Sequence, residues 1–260
     1  MGFKKLVIGA AGFALLGVGV APLLASPALA SPALASPALA SQTISASSVG
    51  NNWQLYSVMP ATAKFWAIDK AASDGSGGVE FPFQQFLSTS TGSFATYLKS
   101  NDNVSLTEGD TITADVNWTP GAYVTRGPST DGAFVRLEFQ DVSSGNYTSN
   151  DYWWYSGPGG VLDLNSDSSG TLTAALADRS HWSNVCGQLA SDTIAHPGPN
   201  CVGGTDPNVS PYVGFTAAMQ NIKQVNLSFG RASSYASGVA AVGTDSATFD
   251  MTRFAIISSP

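Results

Sequence analysis

The chain contains three glutamates, Glu80, Glu108 and Glu138, and the last of them is the one placed to do chemistry. It lies in Phe134-Val135-Arg136-Leu137-Glu138-Phe139-Gln140-Asp141, where a period of two sets Val135, Leu137 and Phe139 on one face and Arg136, Glu138 and Gln140 on the other. Glycoside hydrolysis needs two carboxylates about 5 to 9.5 Å apart across the scissile bond. Glu108 belongs to the turn signal Glu108-Gly109-Asp110 and Glu80 follows a glycine-rich loop, so Glu138 is the single candidate for such a pair. Arg136, two residues away, favours the ionised carboxylate, which suits a nucleophile or a structural ion pair better than a general acid. The bland use of the same residues is a hydrogen-bonded network on a sheet face.

Directly after this strand comes Asp151-Tyr152-Trp153-Trp154-Tyr155. Alternation sends Tyr152 and Trp154 one way and Trp153 and Tyr155 the other. One pair belongs to a core. The other can form a flat platform for a sugar ring, whose C–H bonds meet the negative π face while neighbouring Asp, Asn and Gln bond its hydroxyls. The expected ligand-binding set is Trp153, Tyr155, Arg136, Glu138, Gln140 and Asp151.

Other chemistries leave little trace. The sequence has no Gly-x-Ser-x-Gly elbow, His-Glu-x-x-His pair, phosphate-binding glycine loop or dinucleotide fingerprint. His181 and His196 fall in the same loop as the two cysteines, and His196 precedes a proline. Cys186 and Cys201 are expected to form a disulfide, worth about 3 kcal/mol on the disputed loop-entropy model. Metal ligands stay unassigned; side-chain oxygens crowd the loops, so a structural calcium is compatible, without EF-hand spacing. Asn-x-Ser/Thr sequons stand at Asn103, Asn117, Asn146, Asn208 and Asn226.

The elements that must position these groups are strands. Lys4 and Lys5, an apolar run from Leu6 to Leu24, and three Ser-Pro-Ala-Leu-Ala repeats ending at Ala40 read as a secretory signal peptide over residues 1–40, with proline in each repeat opposing a membrane-spanning helix. Residues 41–52 read as a flexible lead-in and 53–260 as one domain. Without Lys4 and Lys5 the chain holds 9 basic against 18 acidic residues, a net charge of −9, and lacks the basic stripe a nucleic-acid partner requires. Short alternating segments follow at Ser93–Leu98, Thr111–Trp118, Phe134–Asp141, Val161–Leu164, Thr171–Leu176, Gln224–Phe229 and Ala247–Ile257, punctuated by Gly, Pro and Asn. This pattern predicts an all-β antiparallel sandwich, with Asp178–Pro211 as one long disulfide-closed loop and a turn or two of helix at Phe215–Ile222.

The segments Leu106–Ala114, Phe134–Asp141, Ile222–Gly230 and Ala247–Ile256 resemble the strands of galactose-binding-like jelly rolls, including carbohydrate-binding modules of secreted glycoside hydrolases. The resemblance implies two packed antiparallel sheets, often with a structural calcium and a sugar site. The resulting expectation is a secreted or cell-surface protein, non-catalytic, that binds carbohydrate or a cell-surface polysaccharide through an aromatic and polar sheet face. A structural or adhesive protein with a protein partner, and a glycan-active hydrolase using Glu138, are the alternatives.

Overall fold

Apolar residues alternate with polar ones through Thr111–Trp118, Phe134–Gln140 and Gln224–Gly230, so each of these strands must bury one face, and two sheets packed on each other meet that demand. The computed structural model describes residues 41–42, 53–58, 65–70, 72–73, 78–86, 93–100, 104, 106–127, 131–141, 148–195, 208–233, 235–243 and 247–258, with backbone alone at 41–42, 65–70 and 72–73. The signal-peptide region, residues 43–52 of the lead-in, His196 and Cys201 lie outside the described residues.

In chain order the strands are β1 (Ser41–Gln42), β2 (Trp53–Val58), β3 (Phe65–Lys70), β4 (Ala72–Ser73), β5 (Val79–Pro82), β6 (Phe94–Ser100), β7 (Thr111–Trp118) and β8 (Ala122–Thr125). They continue as β9 (Phe134–Gln140), β10 (Tyr152–Tyr155), β11 (Val161–Asp163), β12 (Ser169–Ala175) and β13 (Trp182–Asn184). Helix α1 (Pro211–Met219) then precedes β14 (Gln224–Gly230), β15 (Val239–Val242) and β16 (Thr248–Ile257). The smaller sheet has the order β12-β7-β16-β5-β4, with β1 on β16. The larger runs β13-β10-β9-β14-β6-β15-β8, with β11 added to β9, and with β2 pairing both β6 and β3. The pairings that build the larger sheet around β9 and β14 are antiparallel. Ser41 and Gln42, expected to be flexible, pair with Ile257 and Ile256.

The core lies between the sheets. Ile112, Ala114 and Val116 of β7 and Phe249, Met251 and Phe254 of β16 share one buried cluster with Val135, Leu137 and Phe139 of β9 and Val225, Leu227 and Phe229 of β14. Edge-on aromatic pairs cross the gap: Trp53 to Phe254 at 5.2 Å, Phe81 to Phe229 at 5.5 Å and Phe229 to Phe249 at 5.0 Å. Such pairs add to the burial of apolar area that drives sheet packing. The antiparallel sandwich is therefore present, on the alternation read from sequence.

Two expectations change in the segment before β14. The helix starts at Pro211, four residues before the predicted Phe215, because Ser210 accepts a hydrogen bond from Val213 N and Pro211 occupies the first helical turn, a strong start signal. Phe215 then packs against Phe139, Trp153 and Trp182 at 5.5, 5.0 and 5.8 Å, closing one end of the core. Asp178–Pro211 is not one irregular loop either, since it contributes β13, paired to β10 through Trp182 and Tyr155. Cys186 carries no free thiol; the closure of the loop through Cys201 falls outside the described residues. No helix among the described residues is long and apolar enough to cross a membrane.

Candidate functional site

The alternation that buries Val135, Leu137 and Phe139 turns Arg136, Glu138 and Gln140 to the other face of the larger sheet, away from the sandwich core. Register decides what they meet there. Glu138 stands between Trp154 of β10 and Asn226 of β14, Asn226 is opposite Lys99 of β6, Lys99 is opposite Gln54 of β2, and Trp154 is opposite Ser183 of β13. Six strands thus place Ser183, Trp154, Glu138, Asn226, Lys99 and Gln54 in one row, which at ~4.8 Å per strand spans roughly 24 Å. A second row beside it holds Arg136, Ser228, Tyr97 and Tyr56. Tyr152, Gln140 and Gln224 form a third.

This strip faces away from the core, yet its polar groups are buried. Glu138, Asn226 and Ser228 are 0% exposed, Gln140 1%, Arg136 3% and Trp154 3%. Lys99 Nζ donates to Gln140 Oε1 at 3.1 Å, and Gln140 Nε2 donates to Glu138 Oε1 at 2.6 Å. The ammonium also lies 4.8 Å from the ring centres of Tyr56 and Tyr97. Arg136 Nη1 also donates to Arg231 O at 3.2 Å, and Tyr56 OH to Gln54 Oε1 at 3.1 Å, whereas among the described residues Arg136 Nε, Glu138 Oε2, Trp154 Nε1, Ser228 Oγ and both amide atoms of Asn226 have no hydrogen-bond partner. Asn226 sits close enough to Glu138 to favour its anion, but not in the geometry of a completed bond. An unmet buried polar group costs about 1–3 kcal/mol, and native proteins leave few of them.

Burial also sets the charges. It raises the Glu138 carboxyl to about 8, against the pull of Lys99, the bond from Gln140 and the nearby amide of Asn226. The expectation that Arg136 keeps this group ionised is thereby corrected, because desolvation outweighs the cations around it. Lys99 is lowered, first by burial, with Glu138 opposing. Tyr97 is raised well above its ordinary value by burial, then by Glu138 and Tyr152. Arg136 is brought down to about 10 by burial, Tyr235 opposing.

The aromatic pair turned out of the core is the other one. Trp153 and Tyr155, predicted to meet ligand, belong to the core cluster. Trp153 Nε1 donates to Asn150 O at 2.7 Å and Tyr155 OH to Asp178 Oδ2 at 2.8 Å, so both polar tips are satisfied internally. Tyr152 and Trp154 turn to the strip instead, stacked at 6.1 Å and 13°. Tyr235, in the loop between β14 and β15, leans on Trp154 at 5.7 Å and covers the Arg136 guanidinium at 4.6 Å. Asp151 is half-buried and occupied: its Oδ2 accepts from Thr148 N at 2.5 Å in a capping box that closes the turn before β10.

Of the six predicted residues, Arg136, Glu138 and Gln140 are brought together, while Trp153, Tyr155 and Asp151 are structural. Tyr56, Tyr97, Lys99, Trp154, Asn226 and Ser228 lie on the same face beside the first three and are not in the expected ligand set. The signal for Asn226 and Ser228 was there, in a strand whose polar half carries amides and hydroxyls without surface-type charges. The sequon residue Asn226 lies on β14 within this strip, its side chain buried. No group of three His, Cys, Asp or Glu among the described residues could hold a metal ion.

No protein-family model matches the chain, and no curated protein sequence matches it. Among solved structures, a Bacillus licheniformis β-glucanase aligns over 81% of this chain and 94% of its own, at 9% identity and a TM-score of 0.37. A structure described by the cell entry of botulinum neurotoxin type C through interaction with two ganglioside molecules aligns over 81% of this chain at 9% identity and a TM-score of 0.22. This chain spans 48% of that one. Neither likeness is strong enough to bear on this chain's chemistry.

Proposed function

We propose that the protein is an exported, non-catalytic β-sandwich that binds carbohydrate along the outward strip of its larger sheet. The observation that carries this reading is the set of unpartnered buried polar atoms on Arg136, Glu138, Trp154, Asn226 and Ser228, set beside the rings of Tyr152, Trp154 and Tyr235. Polyhydroxylated rings need both kinds of surface: hydroxyls donate and accept, and their C–H faces stack. Export rests on the basic start, apolar run and small-residue repeats of residues 1–40. The Cys186–Cys201 disulfide is part of the same proposal.

A hydrolase using Glu138 is the second reading, favoured by a carboxyl that stays protonated around neutrality as a general acid must. Its cross-strand neighbours are Trp154 and Asn226 and its same-face neighbours along β9 are Arg136 and Gln140, none of them the second acid that hydrolysis requires. An adhesive protein partner would call for a broad apolar patch. The exposed large apolar side chains among the described residues are Leu189, Ile194, Tyr212, Val213 and Val242, none of them on the strip.

A polysaccharide and glycan-array screen tests the proposal. Wild-type protein is expected to retain at least one glycan, and Trp154→Ala to lose it by about tenfold or more, since a stacked ring with a charge-free hydrogen bond contributes about 1–2 kcal/mol. Release of reducing ends by the wild type but not by Glu138→Gln would establish the hydrolase instead.

A further inference from the structure

We infer that the strip takes an acidic saccharide, a chain of uronate-type sugars whose carboxylate pairs with Arg136 while its hydroxyls meet Asn226, Ser228 and Trp154. This rests on the reading of the strip as a carbohydrate site and adds a charge to it. Arg136 is 3% exposed, its guanidinium held 4.6 Å from the Tyr235 ring centre and 5.4 Å from that of Phe134. Its one hydrogen bond among the described residues runs from Nη1 to Arg231 O at 3.2 Å, and Nε has no partner. The ion pairs among the described residues join Arg179 to Glu108, His181 to Asp178 and Arg253 to Asp115; none reaches Arg136 or Lys99.

A buried guanidinium with no anion among the described residues is unusual, because buried charges are as a rule paired. Burial lowers Arg136 only to about 10, so it remains a cation at neutral pH. The fold has already stripped its water, which makes a charge-assisted bond to an arriving carboxylate stronger than one formed at the surface. Nε, the atom without a partner, lies on the side-on edge by which arginine grips carboxylates through two parallel bonds.

The rest of the strip does not neutralise this charge. Lys99 and Glu138 share protons: as an ion pair or as two neutral groups they sum to zero, and with both protonated they sum to one positive charge. Arg136 adds another in every case. On the described residues of β2, β6, β9, β10, β13 and β14 that face this way, Glu138 is the single carboxylate. A strip bearing one to two positive charges thus sits in a chain whose formal charge is −7, so the local preference opposes the global one. Nucleic acid is disfavoured by that global charge, while a sugar carboxylate presents one anion per ring alongside hydroxyls suited to Asn226 and Ser228.

Calorimetric titration of the full-length exported protein separates the outcomes. The probes are oligogalacturonate, oligomannuronate and oligoglucuronate, each beside its methyl ester, which keeps the backbone and removes the charge, together with neutral glucan and sulfated galactan oligomers. At least one uronate is expected to bind about tenfold or more tightly than its ester, with an affinity that falls as salt rises. Arg136→Gln should collapse the acid-over-ester ratio towards one. Arg136→Lys, which keeps the charge and loses the fork, should give an intermediate ratio, and circular dichroism melts establish that each variant is folded. Equal binding of acid and ester, or binding of neutral oligomers alone, would overturn the inference and leave the carbohydrate site standing. Preference for the sulfated oligomer over every uronate would overturn the carboxylate assignment. Binding of none of these saccharides would overturn the carbohydrate reading itself.

Discussion

Glu138 shows how a side chain changes meaning between one strand and a sheet. Alone on β9 it is a carboxylate two residues from an arginine. In the sheet it is fully buried, bonded on one oxygen by Gln140, and raised from 4.5 to about 8 chiefly by desolvation. The linkage has a definite sign. Below 4.5 the folded and unfolded chains both hold the proton and the full stability is present. As pH rises towards 8 the unfolded chain releases a proton that the folded chain keeps, so stability falls and the loss is complete above 8. Lys99, lowered by burial, pulls the other way towards alkaline pH, and Arg136 and Tyr97 face the same strip. The difference between variant and wild type is therefore the quantity to read. Glu138→Gln should be more stable than wild type at pH 8–9 by at least ~1.4 kcal/mol relative to their difference at pH 4–5, measured by urea unfolding across that range. A pH-independent difference would contradict the buried, protonated carboxyl.

At the scale of elements, the strands were readable and their meeting was not. The alternation in β7, β9 and β14 predicted which half of each strand is core, because a period of two is a local property of the sequence. Which of the paired aromatics in β10 faces outward depends on Trp154 meeting Glu138 across the ladder, a contact local alternation does not encode. Tyr56, Tyr97 and Asn226 come from β2, β6 and β14, far apart in sequence, and converge only in the folded sheet. The start of α1 is legible in Ser210 and Pro211, whereas the apolar spacing alone points to Phe215. Within α1, Gly214 packs so closely on β10's lead-in that an added Cβ would lie 2.5 Å from Asn150 Cγ. Asn150 Oδ1 in turn accepts from Asn184 Nδ2 at 3.0 Å, tying helix, turn and β13 together. Gly214→Ala gains roughly 1 kcal/mol of helix propensity but must displace that amide, so a net loss of about 1–3 kcal/mol is expected in thermal melts. An unchanged or raised Tm would mean the helix does not seat on Asn150.

At the scale of the whole molecule, the two faces of the larger sheet divide the work. The inner face, with Phe139, Trp153, Phe229 and their partners, supplies the apolar burial that holds the sandwich together. The outer face carries polar atoms that the fold buries and that have no hydrogen-bond partner among the described residues, which is the observation behind the proposed ligand-binding role. The two tryptophans that follow one another in β10 report on these two faces separately. Trp153 Nε1–H is already bonded to Asn150 O at 2.7 Å, whereas Trp154 Nε1–H has no acceptor among the described residues. Proton–nitrogen correlation spectra of the indole groups, assigned by loss of one signal in Trp153→Phe and another in Trp154→Phe, can follow both during titration with a saccharide that binds. The account predicts that the Trp154 indole proton moves downfield as it gains an acceptor, while that of Trp153 holds its position. Saturating binding that leaves the Trp154 signal in place would contradict a ligand site on the outer face of the larger sheet.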